Sequence, residues 1–222
     1  MTLPPFVYHL AEAENWPSIR QHGLLSTRRL LDRFGMCGVL REVLERRHRP
    51  ARTILPSGTV IRDQRPMPPR ALERCLVGLA AAEWYALLNG KVFFWFDPER
   101  LNRQRRACSG FPQVVLTIDS ERLLRHYADR AALTPINSGN ARRKPAPRST
   151  ATFVPYHVWA ESGWRSEAEA LRTRPRSPRH PPVELAIDDA VPDVMTCVLS
   201  IRRLAPHHFL PVERPAARSV RS

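Results

Sequence analysis

Phe6-Val7-Tyr8-His9-Leu10 is a short apolar run carrying one imidazole, and Pro182-Val183-Glu184-Leu185-Ala186-Ile187, near the other end of the chain, is a second such run carrying one carboxylate. Both read as buried strands, so the chain is expected to begin and nearly to end in the same sheet. Working outward from the first run, Asn15 sits where a helix N-cap belongs, Pro17 falls in the first turn, and Gly23 follows the last. Leu30, Leu31 and Phe34 continue a helical pattern closed by Gly35, and Val39 to Arg47 predicts a third helix, apolar on one side and basic beyond. His48 to Pro69 holds several prolines and reads as irregular.

The middle of the chain alternates. Cys75 to Leu88 predicts a buried helix ended by Asn89-Gly90, and Lys91 to Phe96 an aromatic-rich strand. Asp97 then caps a helix with Pro98 at its first position, Gln113 to Asp119 is a strand, Ser120 caps the next helix, and Ala132 to Asn137 reads as an edge strand. Ser138 to Ser149, with Arg142, Arg143 and Lys144 among Gly, Asn and Pro, reads as a basic, mobile loop. Ser166 to Leu171 is a short helix, Thr173 to Pro182 a Pro/Arg linker to the Glu184 strand, and Val194 to Arg202 the last strand. Residues 206–222 are expected to form a disordered basic tail, leaving residues 1–205 as a single domain.

Composition agrees with one domain. The 222 residues are 43% hydrophobic, enough for one good core. The formal charge is +14, from 35 Lys plus Arg against 21 Asp plus Glu, and almost all the cations are Arg. Such an excess points to a polyanionic partner, nucleic acid first, although an Arg-rich proteome would produce the same balance. Cys37, Cys75, Cys108 and Cys197 lack Cys-x-x-Cys spacing, so neither a zinc site nor a redox pair is indicated and no metal is expected. No apolar run is long enough to span a bilayer and no leader pattern opens the chain, so a cytoplasmic protein with no membrane contact is expected.

Four blocks in a fixed order resemble one known family. Tyr8-His9-Leu10, Asn15-Trp16-Pro17-Ser18-Ile19 and His22-Gly23-Leu24-Leu25-Ser26 are similar to the N-terminus of the DarT family of NAD-dependent ADP-ribosyltransferases. Ile61-Arg62-Asp63-Gln64-Arg65 before Pro66-Met67-Pro68-Pro69 resembles its basic segment, and Val92-Phe93-Phe94-Trp95-Phe96-Asp97-Pro98 its aromatic strand. Val183-Glu184-Leu185-Ala186-Ile187, with Val191-Pro192-Asp193-Val194 after it, resembles the strand bearing the catalytic Glu. The resemblance implies an α+β fold built on a split, mixed β-sheet with flanking helices. It also implies NAD as co-substrate, without a metal, and transfer of ADP-ribose to a nucleic-acid base, DNA favoured, by a toxin or defence effector. A monomer is expected, and an antitoxin or hydrolase partner stays open. The sequence departs from the family at Leu10-Ala11, where a small hydroxyl residue commonly follows the His, and in the longer, more basic loop 138–149.

The site residues follow from the residues and from the resemblance together. His9 reads by itself as a core imidazole; the resemblance implies that His9 and the Leu10 backbone contact the ribose and the nicotinamide amide. If the two terminal strands are neighbours, Glu184 lies beside them and stabilises the positive charge that develops as nicotinamide leaves. A Glu in an alternating strand also fits a solvent-facing position. Arg62 or Arg65 is expected at the pyrophosphate or the reacting ribose, because a planar guanidinium holds phosphate oxygens bidentately. Ser26 either contacts the cofactor or caps the next helix. One ring of the aromatic strand, Phe94 among them, or Tyr85 in the helix before it, is expected against nicotinamide. Arg142, Arg143 and Lys144 are the candidate nucleic-acid contacts. Two other classes remain: the same fold acting as an NAD glycohydrolase, a protein ADP-ribosyltransferase or an RNA 2′-phosphotransferase, and a non-catalytic nucleic-acid-binding protein in which His9 and Glu184 are structural.

Overall fold

A computed structural model describes residues 2–142 and 144–212. The Phe6 run extends as strand β1 (Phe6–Glu12), and α1 (Trp16–His22) has Pro17 in its first turn. Asn15 holds the N-cap position without capping; its side chain instead exchanges two hydrogen bonds with the Val60 backbone, at 2.8 and 2.7 Å. Gly23 ends α1 at φ +71°, where a Cβ would stand 2.3 Å from the Val191 carbonyl oxygen, so the turn needs both the left-handed backbone and the missing side chain. There follow β2 (Leu24–Leu25), α2 (Thr27–Arg33), α3 (Gly38–Arg46) and, within the irregular segment, the hairpin of β3 (Thr53–Ile54) and β4 (Val60–Ile61).

The predicted helix over 75–88 is divided. It comprises α4 (Pro69–Glu73), a turn containing Gly78 at φ +66°, and α5 (Ala81–Asn89). The left-handed glycine interrupts a pattern that is apolar on both sides of it. β5 (Lys91–Trp95) leads to α6 (Pro98–Ala107), capped by Asp97, which accepts the Glu99 N–H at 2.8 Å. β6 (Gln113–Asp119) leads to α7 (Ser120–Tyr127), whose cap is Asp119 and not Ser120: Asp119 accepts the Arg122 N–H, while buried Ser120 donates its hydroxyl to the Pro4 carbonyl.

The rest of the chain is β7 (Ala131–Thr134), β8 (Val154–Pro155), α8 (Tyr156–Ser162), α9 (Arg165–Leu171), β9 (Glu184–Asp188), β10 (Ala190–Val191) and β11 (Val198–Leu204). The last strand starts later than predicted, after a 3-10 turn at Val194–Thr196. The tail also begins later. Residues 206–212 are described, and Asn102 exchanges two hydrogen bonds with the Leu210 backbone while buried Arg105 donates to the carbonyls of Ala205 and His208. Residues 213–222 lie outside the described residues.

Seven strands form one sheet in the order β11-β6-β1-β5-β9-β7-β8. The fold is α+β as expected, but every strand pair in the sheet is antiparallel among the described residues, in place of the expected mixed sheet. β7 is internal, between β9 and the two-residue β8, and is not an edge. β1 is paired with β6 from Phe6↔Asp119 to Glu12↔Gln113 but with β5 only at Tyr8↔Trp95. The sheet therefore parts beyond that pair. One face packs continuously on the main core, through Val7, Phe94, Leu116, Leu133 and Leu185. The other is divided, with Leu10, Val115 and Leu101 under one half and Trp84, Tyr85 and Phe153 under the other. β1 and β9 are not neighbours, because β5 runs between them.

Candidate active site at the parting of the sheet

Where β1 leaves β5 a cavity of about 750 Å³ opens, within the range of small-molecule sites. His9, Leu10, Arg62, Phe93, Arg142 and Glu184 all line it, so residues far apart in sequence, on β1, the loop after β4, β5, the 138–149 loop and β9, share one space.

His9 is half-buried, and its Nδ1 lies 2.8 Å from the Phe93 carbonyl oxygen across the parting. A carbonyl only accepts, so Nδ1 carries the proton. Burial, with a smaller push from the Arg62 charge and against the bond to Phe93, lowers the imidazole from 6.5 to about 4. At neutral pH the ring is neutral and its Nε2 is an acceptor for a hydroxyl. Phe94 supports that ring from the core side, with centroids 5.6 Å apart.

Leu10 shows why the backbone beside the imidazole is available. Its carbonyl accepts from Arg62 Nη2 at 3.4 Å instead of from β5. In a strand the N–H and C=O of one residue point to the same side. The Leu10 amide thus faces the cavity as well. Arg62 is fixed at its other end by Glu12, Nε to Oε1 at 3.0 Å, and is three-quarters buried. Arg65 differs: it is exposed, pairs with Asp63 at 3.3 Å and does not line this cavity. The position of the site arginine, open between the two in the sequence, belongs geometrically to Arg62.

Glu184 opens β9 between Trp95 and Thr134 in register. It is 4% exposed. Its Oε2 accepts from the Thr134 hydroxyl at 2.9 Å and the Ser138 N–H at 3.1 Å, and Oε1 has no hydrogen-bond partner among the described residues. Burial raises its carboxyl above the usual range, while the Ser138 and Thr134 bonds and the Arg148 charge oppose the rise. The solvent-facing alternative is thereby removed.

Three expected cofactor contacts are elsewhere. Ser26 is buried and accepts the Arg29 N–H at 3.2 Å, so it is the cap of α2. Tyr85 stands one layer behind the wall, its hydroxyl donating to the Met67 carbonyl at 2.7 Å, and Met67 is what lines the cavity. Phe94 is fully buried in the core; the ring exposed to the cavity is its neighbour Phe93, on the opposite face of β5.

The basic loop is pinned, not mobile. Ser138 binds Glu184, the buried Ala141 donates its N–H to the Pro66 carbonyl at 2.9 Å, and Arg142 reaches the Arg65 carbonyl at 2.9 Å. Arg148, which the sequence buries in a run of cations, is 1% exposed and donates Nη1 to the Ser138 carbonyl at 3.2 Å. It backs the residue that holds Glu184. Of the candidate nucleic-acid contacts, Arg142 and Lys144 are exposed, and Arg143 lies outside the described residues. Glu12, Thr134, Ser138 and Arg148 all escaped the sequence reading. Only Glu12 left a local signal, sharing the strand period of Tyr8 and Leu10.

Among the described residues no group of three or more His, Cys, Asp or Glu side chains is placed to hold a metal ion, and no helix is long and apolar enough to cross a membrane. The profile of a family of unknown function, DUF7002, matches residues 5–198, from β1 to the start of β11 and so across every cavity residue named above. No curated protein sequence matches the chain.

Proposed function

The chain belongs to the DUF7002 family, and we propose that it is an ADP-ribosyltransferase that takes NAD in the cavity and transfers ADP-ribose to a nucleic-acid base with release of nicotinamide. The observation that carries this reading is a buried carboxylate, Glu184, fixed through one oxygen only, in the wall that also holds a neutral imidazole of fixed tautomer. When bound, NAD supplies a ribose carbon whose bond to nicotinamide is weak because the leaving nitrogen departs neutral.

The chain's own residues do the rest. His9 Nε2 accepts from a ribose hydroxyl and so sets the sugar's orientation. The Leu10 amide and carbonyl receive the nicotinamide carboxamide, Phe93 covers its ring, and Arg62 approaches the pyrophosphate. Glu184 holds negative charge where positive charge develops at the ribose carbon, in a wall already organised by Thr134 and Ser138. The bond to nicotinamide breaks with its electron pair on the departing nitrogen, a nitrogen of the acceptor base forms the new bond, and its proton passes to Glu184 or to water. Arg142 and Lys144 on the rim favour a polyanionic acceptor.

The test is incubation of the protein with NAD labelled in the adenylate half together with single-stranded DNA, duplex DNA, RNA or total protein. Label retained by DNA, and lost with Glu184→Gln, is the expected result. Label retained by protein, free ADP-ribose, or transfer of an RNA 2′-phosphate assigns the cavity to the other chemistries of its class. No nicotinamide release under any condition removes NAD from the account.

A further inference from the structure

Beside the main cavity, and continuous with it at Glu12 and Arg62, lies a second of about 220 Å³, too small for a whole cofactor and suited to one ring system. Glu12 stands in the wall between them and is 4% exposed. Its Oε1 receives Arg62 Nε and Gln113 Nε2, both at 3.0 Å, whereas its Oε2 is buried and has no hydrogen-bond partner. A buried carboxylate oxygen left unpaired is costly, and the polar neighbours that could serve it already point at Oε1. Oε2 therefore asks for an N–H donor from whatever enters the cavity.

The remaining walls narrow the choice of donor. Phe111 is 42% exposed and carries the Arg52 guanidinium 4.2 Å from its ring centroid, a flat, cation-backed surface for a second planar group. Arg65 and Arg142 stand at the mouth, joined through the Arg65 carbonyl, and bring positive charge without a carboxylate facing outward from Arg142. Flat wall, buried acceptor and basic mouth together fit an aromatic base on a phosphate chain.

The geometry points to the small cavity as the acceptor subsite, in which Glu12 Oε2 accepts from the exocyclic amino group of a nucleobase, so that adenine, cytosine or guanine is selected over thymine and uracil. This rests on the proposed function for the reaction but not for the binding. Glu12 is a specificity-determining residue in this account, and its pairing with Arg62 joins the acceptor subsite to the donor site.

The test uses the full chain and fluorescence anisotropy of labelled thymidine hexamers, one unchanged and three with a single central adenine, cytosine or guanine, at one salt concentration. The phosphate count is constant, so differences report the base alone. At least one amino-bearing hexamer should bind about tenfold more tightly than the unchanged one, and Glu12→Gln and Phe111→Ala should bring that ratio close to one. Phe111 is partly exposed, so its variant carries the test if Glu12→Gln fails to fold. Equal binding of all four hexamers by the parent overturns the inference, with water alone serving Oε2. So does a ratio that survives in both variants, or tighter binding of an arginine-bearing peptide than of any hexamer. Nicotinamide release from NAD by the parent, measured separately, reports on the donor site, so failure of one reading is not mistaken for failure of the other.

Discussion

Glu184 and Glu12 are equally buried, at 4% exposure each, in the wall of the same cavity, yet they are held by different chemistry. Glu184 is held by neutral donors, a hydroxyl and a backbone amide, with its nearest cation, Arg148, one residue removed behind Ser138. Glu12 is held by a guanidinium in direct contact and by an amide nitrogen. The difference teaches that burial alone does not define a reactive carboxylate. A group balanced by dipoles keeps its charge narrowly and is responsive to what approaches it; a group paired with an arginine spends its charge on position.

The largest effect that would break the comparison is on turnover. Replacing Glu184 with Gln preserves shape and most hydrogen bonding but removes charge, and nicotinamide release should fall by about 100- to 1,000-fold, on the order of 3 to 4 kcal/mol. Affinity for NAD, read by calorimetry, should change little, because His9, Leu10 and Arg62 make the ground-state contacts. Parental turnover in this variant would make the two carboxylates equivalent and end the argument.

Next comes the cation behind Glu184. Arg148→Met removes the Ser138 contact and the one positive charge that holds the Glu184 carboxyl down, so its carboxyl rises further. Turnover should drop about tenfold, the loss expected for one charge-assisted hydrogen bond. The acid limb of the pH–rate profile should move to higher pH, and Arg148→Lys should restore the limb in part. A uniform loss with an unmoved limb would give Arg148 a packing role alone.

At Glu12 the expected loss is in stability. Glu12→Gln leaves Arg62 without its carboxylate, and because that arginine is partly solvated the cost should be about 1 kcal/mol in denaturant unfolding. Glu184→Gln should behave oppositely. Burial raises the Glu184 carboxyl above 4.5, so its stabilising share is present below that pH and is lost as pH rises through the folded-state value. The Tm of Glu184→Gln relative to the parent should therefore climb between about pH 4.5 and the point where the folded carboxyl is fully ionised. A flat difference would mean that Glu184 is better solvated than its position implies. The smallest effect is at the mouth, where neutralising Arg142 and Lys144 should weaken oligonucleotide binding about threefold and reduce the salt slope by up to about two, leaving both carboxylates untouched.

The two strands that frame the cavity are legible because each sets one polar residue in a short apolar run, and α6 because Asp97-Pro98 is a cap followed by a fixed φ. Which strand lies between them is not legible, since sheet order is a long-range property without a local period. The aromatic strand misleads for a related reason. With Phe93, Phe94, Trp95 and Phe96 all apolar, alternation offers no contrast between the core face and the cavity face, and Phe94 is easily mistaken for Phe93. Gly78 hides in the same way among apolar neighbours. Arg148 is invisible for the opposite reason: a cation among cations reads as solvated, and its burial follows only from the carbonyls of Ser138 and Ala146 that the folded loop turns towards it.

The parting of the sheet has a mechanical meaning. A central strand is ordinarily the most protected element of a domain, yet β1 is laced to β5 at a single rung, Tyr8↔Trp95, with the His9 side chain as the one stitch beyond it. The amide protons of Leu10 and Glu12 should accordingly exchange with solvent far faster than those of Tyr8 or of β6, although all belong to the middle of the molecule. Whatever lodges between Leu10 and β5 takes up bonds that a neighbouring strand would have made, so occupancy should slow exchange on both flanks of the seam at once, and the molecule should stiffen as its sheet is completed.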